Sequence, residues 1–318
     1  MIRDPLVSAI IPTYNRASFI SDAVDSVLKQ TYANVEVIVV DDGSTDATLE
    51  QLTKYGSRIR VVTQDNRGPA GARNRGIAMS SGELIAFLDS DDLWLPSKID
   101  RQVALLQRVG QSVPCCLCNI TMRWRNKEFT SFEVAWLNPP LEEGLWLNVD
   151  DVLATRFVLF NQGIIVRRPV LERLGGFDES IRFLEDYDLP LRLSLEGPWS
   201  FIREPLVVWR ESATNSVYKD TQREDICTKE CMVQVFEKHI ANMRDRYHHG
   251  ISQDYVSREL KRARRKLRAA KMSRLSSWGA STLGNSLQKI EQYRSAAFRR
   301  SPWFPKMTVS GSINHNGF

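Results

Sequence analysis

The chain has 318 residues, of which 42% are hydrophobic and 25% charged, with a formal net charge of +5. That profile excludes a disordered chain and suits one large domain or two small ones. The charge is uneven: from Arg244 onward 16 Lys/Arg stand against 4 Asp/Glu, leaving 27 against 34 in residues 1–243. An acidic body with a basic tail points to a tail that meets phosphate-rich material.

In chain order, the first half alternates short apolar runs with helical periodicity. Strands are expected at Leu6–Ile11, Val35–Val40, Ile59–Val62 and Leu84–Leu88, with helices near Phe19–Leu28, Thr48–Tyr55 and Pro69–Met79 between them. Strands apolar on both faces and separated by helices imply a mostly parallel sheet covered by helices. Residues 113–166 read as irregular loops and short strands broken by Asn138-Pro139-Pro140, and Trp136, Trp146 and Trp199 are expected either to stack on sugars or to pack. Beyond them come a strand at Gly163–Val166, helices at Pro169–Leu174 and about Asp186–Leu195, and a last strand at Leu206–Trp209.

The tail carries Val256, Leu260, Ala263, Leu267 and Ala270 at helical spacing, with Arg258, Lys261, Arg262, Arg264, Arg265, Lys266, Arg268 and Lys271 filling the remaining surface. Such a basic amphipathic helix either lies on an anionic membrane, here through residues 256–274, or docks on the body by its apolar stripe. Nucleic acid is not expected, because the tail lacks interleaved aromatics. Five cysteines (Cys115, Cys116, Cys118, Cys227, Cys231), without an apolar leader, fit a reducing cytoplasmic compartment, peripheral at the inner membrane face if the tail binds there. No apolar run approaches the ~18–20 residues of a membrane span.

The carboxyl ends of parallel strands are where ligands bind. Here they lead into Pro12-Thr13-Tyr14-Asn15, Asp41-Asp42-Gly43-Ser44 and Asp89-Ser90-Asp91-Asp92. So many carboxylates at one edge repel unless a hard cation lies among them, and Mg²⁺ or Mn²⁺ takes few protein carboxylates, filling its remaining positions with water and phosphate. Gly68-x-x-Gly71-Ala72-Arg73-Asn74 opens a helix with two glycines and Arg73, which suits a pyrophosphate. A third cluster, Glu185-Asp186-Tyr187-Asp188, sets acids among apolar residues, where a partly buried carboxylate becomes more basic. Its sharper reading is a general base.

These segments, with Gly175-Gly176-Phe177-Asp178, occur in an order and at distances that together resemble the family 2 glycosyltransferases of GT-A fold, over roughly residues 5–215. The resemblance implies a nucleotide-sugar-binding half of the domain (1–110), an acceptor-binding half (111–220) and a helical, basic extension (221–318). It implies transfer of a sugar, with inversion, from a nucleotide-sugar donor, a UDP-sugar foremost, to the hydroxyl of a glycan or glycolipid acceptor in cell-surface polysaccharide, lipopolysaccharide or glycolipid synthesis. By the same resemblance Pro12, Tyr14 and Asp41 hold the base, Arg73 and Asp89 lie at the nucleotide, and Asp91, with Asp89 as a second candidate, holds Mn²⁺ or Mg²⁺. Gly176 and Phe177 shape the sugar pocket, and Asp186 is the base, with Glu185 and Asp188 as fallbacks. Relatives often place a His two residues after the arginine that ends the last strand, where this chain has Arg210-Glu211-Ser212. Rival readings are a nucleotidyltransferase of similar fold and a non-catalytic nucleotide-sugar-binding or scaffold protein. The first lacks a Gly-rich, basic loop after the first strand, and the retained acids speak against the second.

Overall fold

A computed structural model describes residues 4–124, 127–155, 161–210, 221–246, 251–276 and 307–310. Its first half builds the expected alternation: β1 (Val7–Thr13), α1 (Ile20–Leu28), β2 (Val35–Asp41), α2 (Thr48–Thr53), β3 (Arg60–Thr63), α3 (Gly68–Met79) and β4 (Leu84–Phe87). These strands pair in parallel in the order β4-β1-β2-β3. Every residue of β1 and β4 is buried, as strands covered on both faces require. After β3 the chain crosses to the other side of β1, so a crevice opens at the carboxyl ends of β1 and β4.

The sheet then continues with different pairing. β5 (Leu93–Trp94) and α4 (Lys98–Val109) precede β6 (Cys115–Trp124), followed by β7 (Lys127–Thr130), α5 (Ser131–Val134), β8 (Glu143–Trp146), α6 (Val149–Thr155), β9 (Ile164–Arg167), α7 (Arg168–Leu174), α8 (Glu185–Ser194) and β10 (Trp199–Arg210). β9 runs antiparallel to both β4 and β6, while β10 is parallel to β6 and antiparallel to β8. One sheet thus runs through both halves, parallel across β4-β1-β2-β3 and mixed beyond. Residues 115–124, expected to be irregular loops and short strands, form the ten-residue β6, and β10 begins seven residues before its expected start. The register against β6 shifts around Pro205, which lacks the N–H a regular ladder needs, and this break hides the strand from periodicity. Trp146 and Trp199 pack edge-to-face in the core, ring centres 6.3 Å apart, so neither is free to stack on a sugar. Trp136 is 57% exposed.

The extension forms α9 (Thr221–Arg246) and α10 (Ile251–Ser276), and β11 (Val309–Ser310) adds to β8 at the sheet edge. Val235, Phe236 and Ile240 of α9 and Val256, Leu260 and Ala263 of α10 join the same core as α8 and β9. The apolar stripe of α10 is therefore consumed by docking on the body, because burying it against α6 and α9 removes it from water without a lipid. Among the described residues no helix is long and apolar enough to cross a membrane.

Candidate active site

Two loops are knitted together at the ends of β1 and β2. Asn15, with left-handed backbone (φ 52°), donates its N–H to Ser44 Oγ at 2.9 Å and accepts from Thr45 N at 2.8 Å. Arg16 N donates to Thr48 Oγ1 at 2.8 Å. This framework leaves Tyr14 45% exposed beside buried Pro12. Asp41 is buried at the end of β2, and one of its oxygens accepts from Ser44 N at 3.2 Å. Its other oxygen, Oδ1, and the hydroxyl of Thr13, paired with it in register, are buried with no hydrogen-bond partner among the described residues. A buried polar atom left unmet costs about 1–3 kcal/mol, which a ligand N–H placed there would recover. Asp42, its neighbour, is a loop organiser instead, accepting from Gln64 Nε2, Arg67 N and Gly68 N at 2.7–2.9 Å.

Arg73 of α3 joins the two halves of the site. Its guanidinium donates to Asp89 Oδ1 at 2.7 Å and to Glu185 Oε1 at 2.8 Å, and lies 5.3 Å from the Phe177 ring centre. Those two carboxylates outweigh burial and hold the guanidinium above even its ordinary basicity. The next residue, Asn74, fixes the loop after α7: its Oδ1 accepts from Phe177 N at 2.8 Å and its Nδ2 donates to Phe177 O at 2.9 Å. Gly176 adopts φ +68°, and a Cβ there would lie 2.6 Å from Asn74 Oδ1. Phe177 is 3% exposed and meets Phe87 edge-to-face at 5.1 Å. Gly176 thus packs on Asn74, and the Phe177 ring lies beneath Arg73. Gly71 likewise sits against the side chain of Arg67, a packing role rather than a ligand approach.

The acid turn after β4 divides its labour. Asp92 is buried, accepting from Gln162 Nε2 at 2.7 Å and Arg210 N at 2.9 Å. Asp91 lies 3.3 Å from Arg16 Nε; its carboxyl is pushed up by burial and by the charge of Asp89, against the lowering effect of Arg16. Asp89 and Asp91 each have one oxygen engaged by an arginine, which leaves one each for a cation. Among the described residues no group of three or more His, Cys, Asp or Glu could hold a metal, and Glu211 and Ser212 lie outside them.

The third cluster opens α8. Leu184, at its N-cap, is held at φ 72°, a costly conformation for a branched side chain and of a kind that gathers at functional sites. Glu185 is locked to Arg73, while Asp188 points into a buried pairing with Arg192 at 2.6 Å and Lys238 at 3.3 Å. Both fallbacks therefore have their carboxylates engaged by cations. Asp186 has no side-chain hydrogen-bond partner among the described residues, and burial, then the Glu185 charge, pushes it up to about 7 despite Arg73. A carboxylate poised there accepts and releases a proton near neutral pH. The motifs assign no role to Arg16, Asn74 or Arg210; Arg210 donates to Asp91 O at 2.6 Å and to Asp22 at 2.8 Å.

The model of the family described as glycosyl transferase family 2 matches residues 8–165. An uncharacterized glycosyltransferase of Rickettsia prowazekii is 31% identical over 215 residues, covering 68% of this chain and 67% of the relative. The chain belongs to glycosyl transferase family 2. Escherichia coli WfgD, named UDP-Glc:alpha-D-GlcNAc-diphosphoundecaprenol beta-1,3-glucosyltransferase, is 47% identical over 105 residues, 32% of this chain and 42% of that one. The chain spans 57% of the Rickettsia typhi relative and 37% of the Rickettsia felis one. Among solved structures, the mannosyltransferase PcManGT of Pyrobaculum calidifontis, in complex with GDP-Man and Mn²⁺, superposes with a TM-score of 0.57 at 20% identity, over 95% of this chain and 83% of that one. That likeness shows the fold, the GT-A architecture of a central sheet flanked by helices.

Proposed function

We propose that this family 2 glycosyltransferase moves a sugar with inversion from a nucleotide-sugar, a UDP-sugar foremost, to the hydroxyl of a lipid-linked or polymeric glycan, in cell-surface polysaccharide, lipopolysaccharide or glycolipid synthesis. The observation that carries it is Asp186, a carboxyl pushed to about 7 beside the pair of arginine-held acids at the crevice. In this reading the acceptor hydroxyl gives its proton to Asp186 as its oxygen bonds the anomeric carbon. The bond from that carbon to the diphosphate oxygen breaks, and its electron pair leaves with the nucleoside diphosphate. One in-line attack inverts the centre, so a single base suffices. Asp41 Oδ1 accepts from the base imide, Tyr14 lies against the ring, and Arg16 and Arg73 set positive charge near the diphosphate, which gains negative charge as the bond breaks. The free oxygens of Asp91 and Asp89 fit Mn²⁺ or Mg²⁺, which when bound supplies further charge stabilisation to the leaving group. WfgD, whose name specifies UDP-Glc and a diphosphoundecaprenol acceptor, supports a UDP donor and a cytoplasmic enzyme working peripherally at the inner membrane face.

Two measurements test the parts. A thermal-shift panel of UDP, GDP and dTDP should raise Tm with at least one of them, and Asp41→Ala should weaken that nucleotide roughly tenfold, the loss of a hydrogen bond to a charged group; no response to any nucleotide overturns the reading. Arg16 competes with a cation for Asp91, so Arg16→Gln should tighten Mn²⁺ binding, measured by titration without nucleotide, while weakening the nucleoside diphosphate. Unchanged Mn²⁺ affinity removes Asp91 as the metal ligand.

A further inference from the structure

Docking leaves α10 with a second face. Val256, Leu260 and Ala263 point into the core, and the cations flanking them are spent locally: Arg264 pairs with Glu237 at 2.6 Å, Lys271 with Glu230 at 2.7 Å, and Arg262 with Glu259 at 3.6 Å. Opposite that stripe, at alternating spacings of three and four, stand Arg258, Lys261, Arg265, Arg268 and Met272. All are exposed, Met272 at 71%, and none of the four cations has an ion-pair partner among the described residues. At 1.5 Å per residue the four charges form a straight row about 15 Å long. Lys266, at the side of the row, is held below its ordinary value by burial and then by Arg262, with Lys229 and Arg265 adding to the same positive field against Glu259. Residues 277–306 carry five Lys/Arg and a single acid, Glu291, so that stretch is itself net positive.

We infer that this outward face of α10 is a docking surface for an anionic lipid bilayer, engaged by charge rather than by insertion of the helix. A straight row meets a flat anionic plane with all four cations at once. An acidic body beside it disfavours a polyanion that must wrap, and no aromatic side chain is exposed among the described residues of α10 to stack on a base. The inference deepens the peripheral placement proposed above. It is tested without donor or acceptor, so its failure leaves the transfer reading standing.

The full chain is sedimented with vesicles of phosphatidylcholine alone and of phosphatidylcholine mixed equally with phosphatidylglycerol. Binding should require the anionic lipid and fall with added salt. The variant Arg258→Gln/Lys261→Gln/Arg265→Gln/Arg268→Gln should lose about fivefold in partition per cation, a hundredfold or more in total, at unchanged Tm. Arg264→Gln/Lys271→Gln, which removes the cations paired to α9, should bind vesicles far more nearly like the parent. Equal partition into both lipids, an unaffected four-site variant, or binding of a single-stranded oligonucleotide with no vesicle binding would each overturn the inference.

Discussion

Asp186→Asn should reduce transfer by roughly a hundred- to ten-thousand-fold, the range for loss of a general base, while nucleoside diphosphate affinity stays near its parent value. In the parent, kcat/KM should rise with pH through about 7, where burial and Glu185 place this carboxyl, because only the deprotonated form accepts the acceptor's proton. The same shift has a stability signature. A carboxyl raised in the folded state binds protons more tightly there than in the unfolded chain. It therefore costs nothing below about pH 4, and the full penalty is present once pH exceeds about 7. Asn carries no charge to bury, so the variant should melt several degrees higher than the parent at pH 8 and at nearly the same temperature at pH 4. A variant that keeps full rate, or that melts like the parent at pH 8 as well as at pH 4, would place the base elsewhere.

Arg73→Ala should be the most destabilising single substitution in the site, by about 3–5 kcal/mol, because it leaves the Glu185 and Asp89 carboxylates facing each other without a cation. For a chain of this size that lowers Tm on the order of ten degrees. Arg73→Lys should recover only part of the loss, since an ammonium cannot span both acids as the planar guanidinium does at 2.7 and 2.8 Å. Differential scanning calorimetry of the two variants decides the point: if Lys restores parental stability, the bidentate bridge is not what joins the halves.

The first half of the fold was legible because β1 and β4 are buried on both faces and the strands are separated by helices. Leu6–Ile11 and Val35–Val40 announce themselves as unbroken apolar runs, and the observed strands differ from them by one or two residues at the ends. β6 and β10 did not, since Arg123 at one end and Pro205 in the middle spoil the pattern that a mixed, irregular ladder tolerates. Among the acids, residue types and spacing left Glu185, Asp186 and Asp188 level, and only the family resemblance put Asp186 first.

By itself the sequence determined that the strand ends carry acids, an arginine and an aromatic in one family's order, and that positive charge gathers beyond residue 243. Only the tertiary structure decided how those groups divide. Arg73 takes Glu185 and Asp89, Arg192 and Lys238 take Asp188, Arg16 takes Asp91, and among the described residues Asp186 alone of its cluster has no ion-pair partner. Asp188 meets Arg192 one turn along α8, but Glu185, Asp91 and Lys238 find their partners 50 or more residues away, where no local pattern encodes the pairing. The same holds for the tail, whose apolar stripe reads identically whether lipid or protein covers it; the body's own apolar surface covers it here, and the cations opposite are left facing outward.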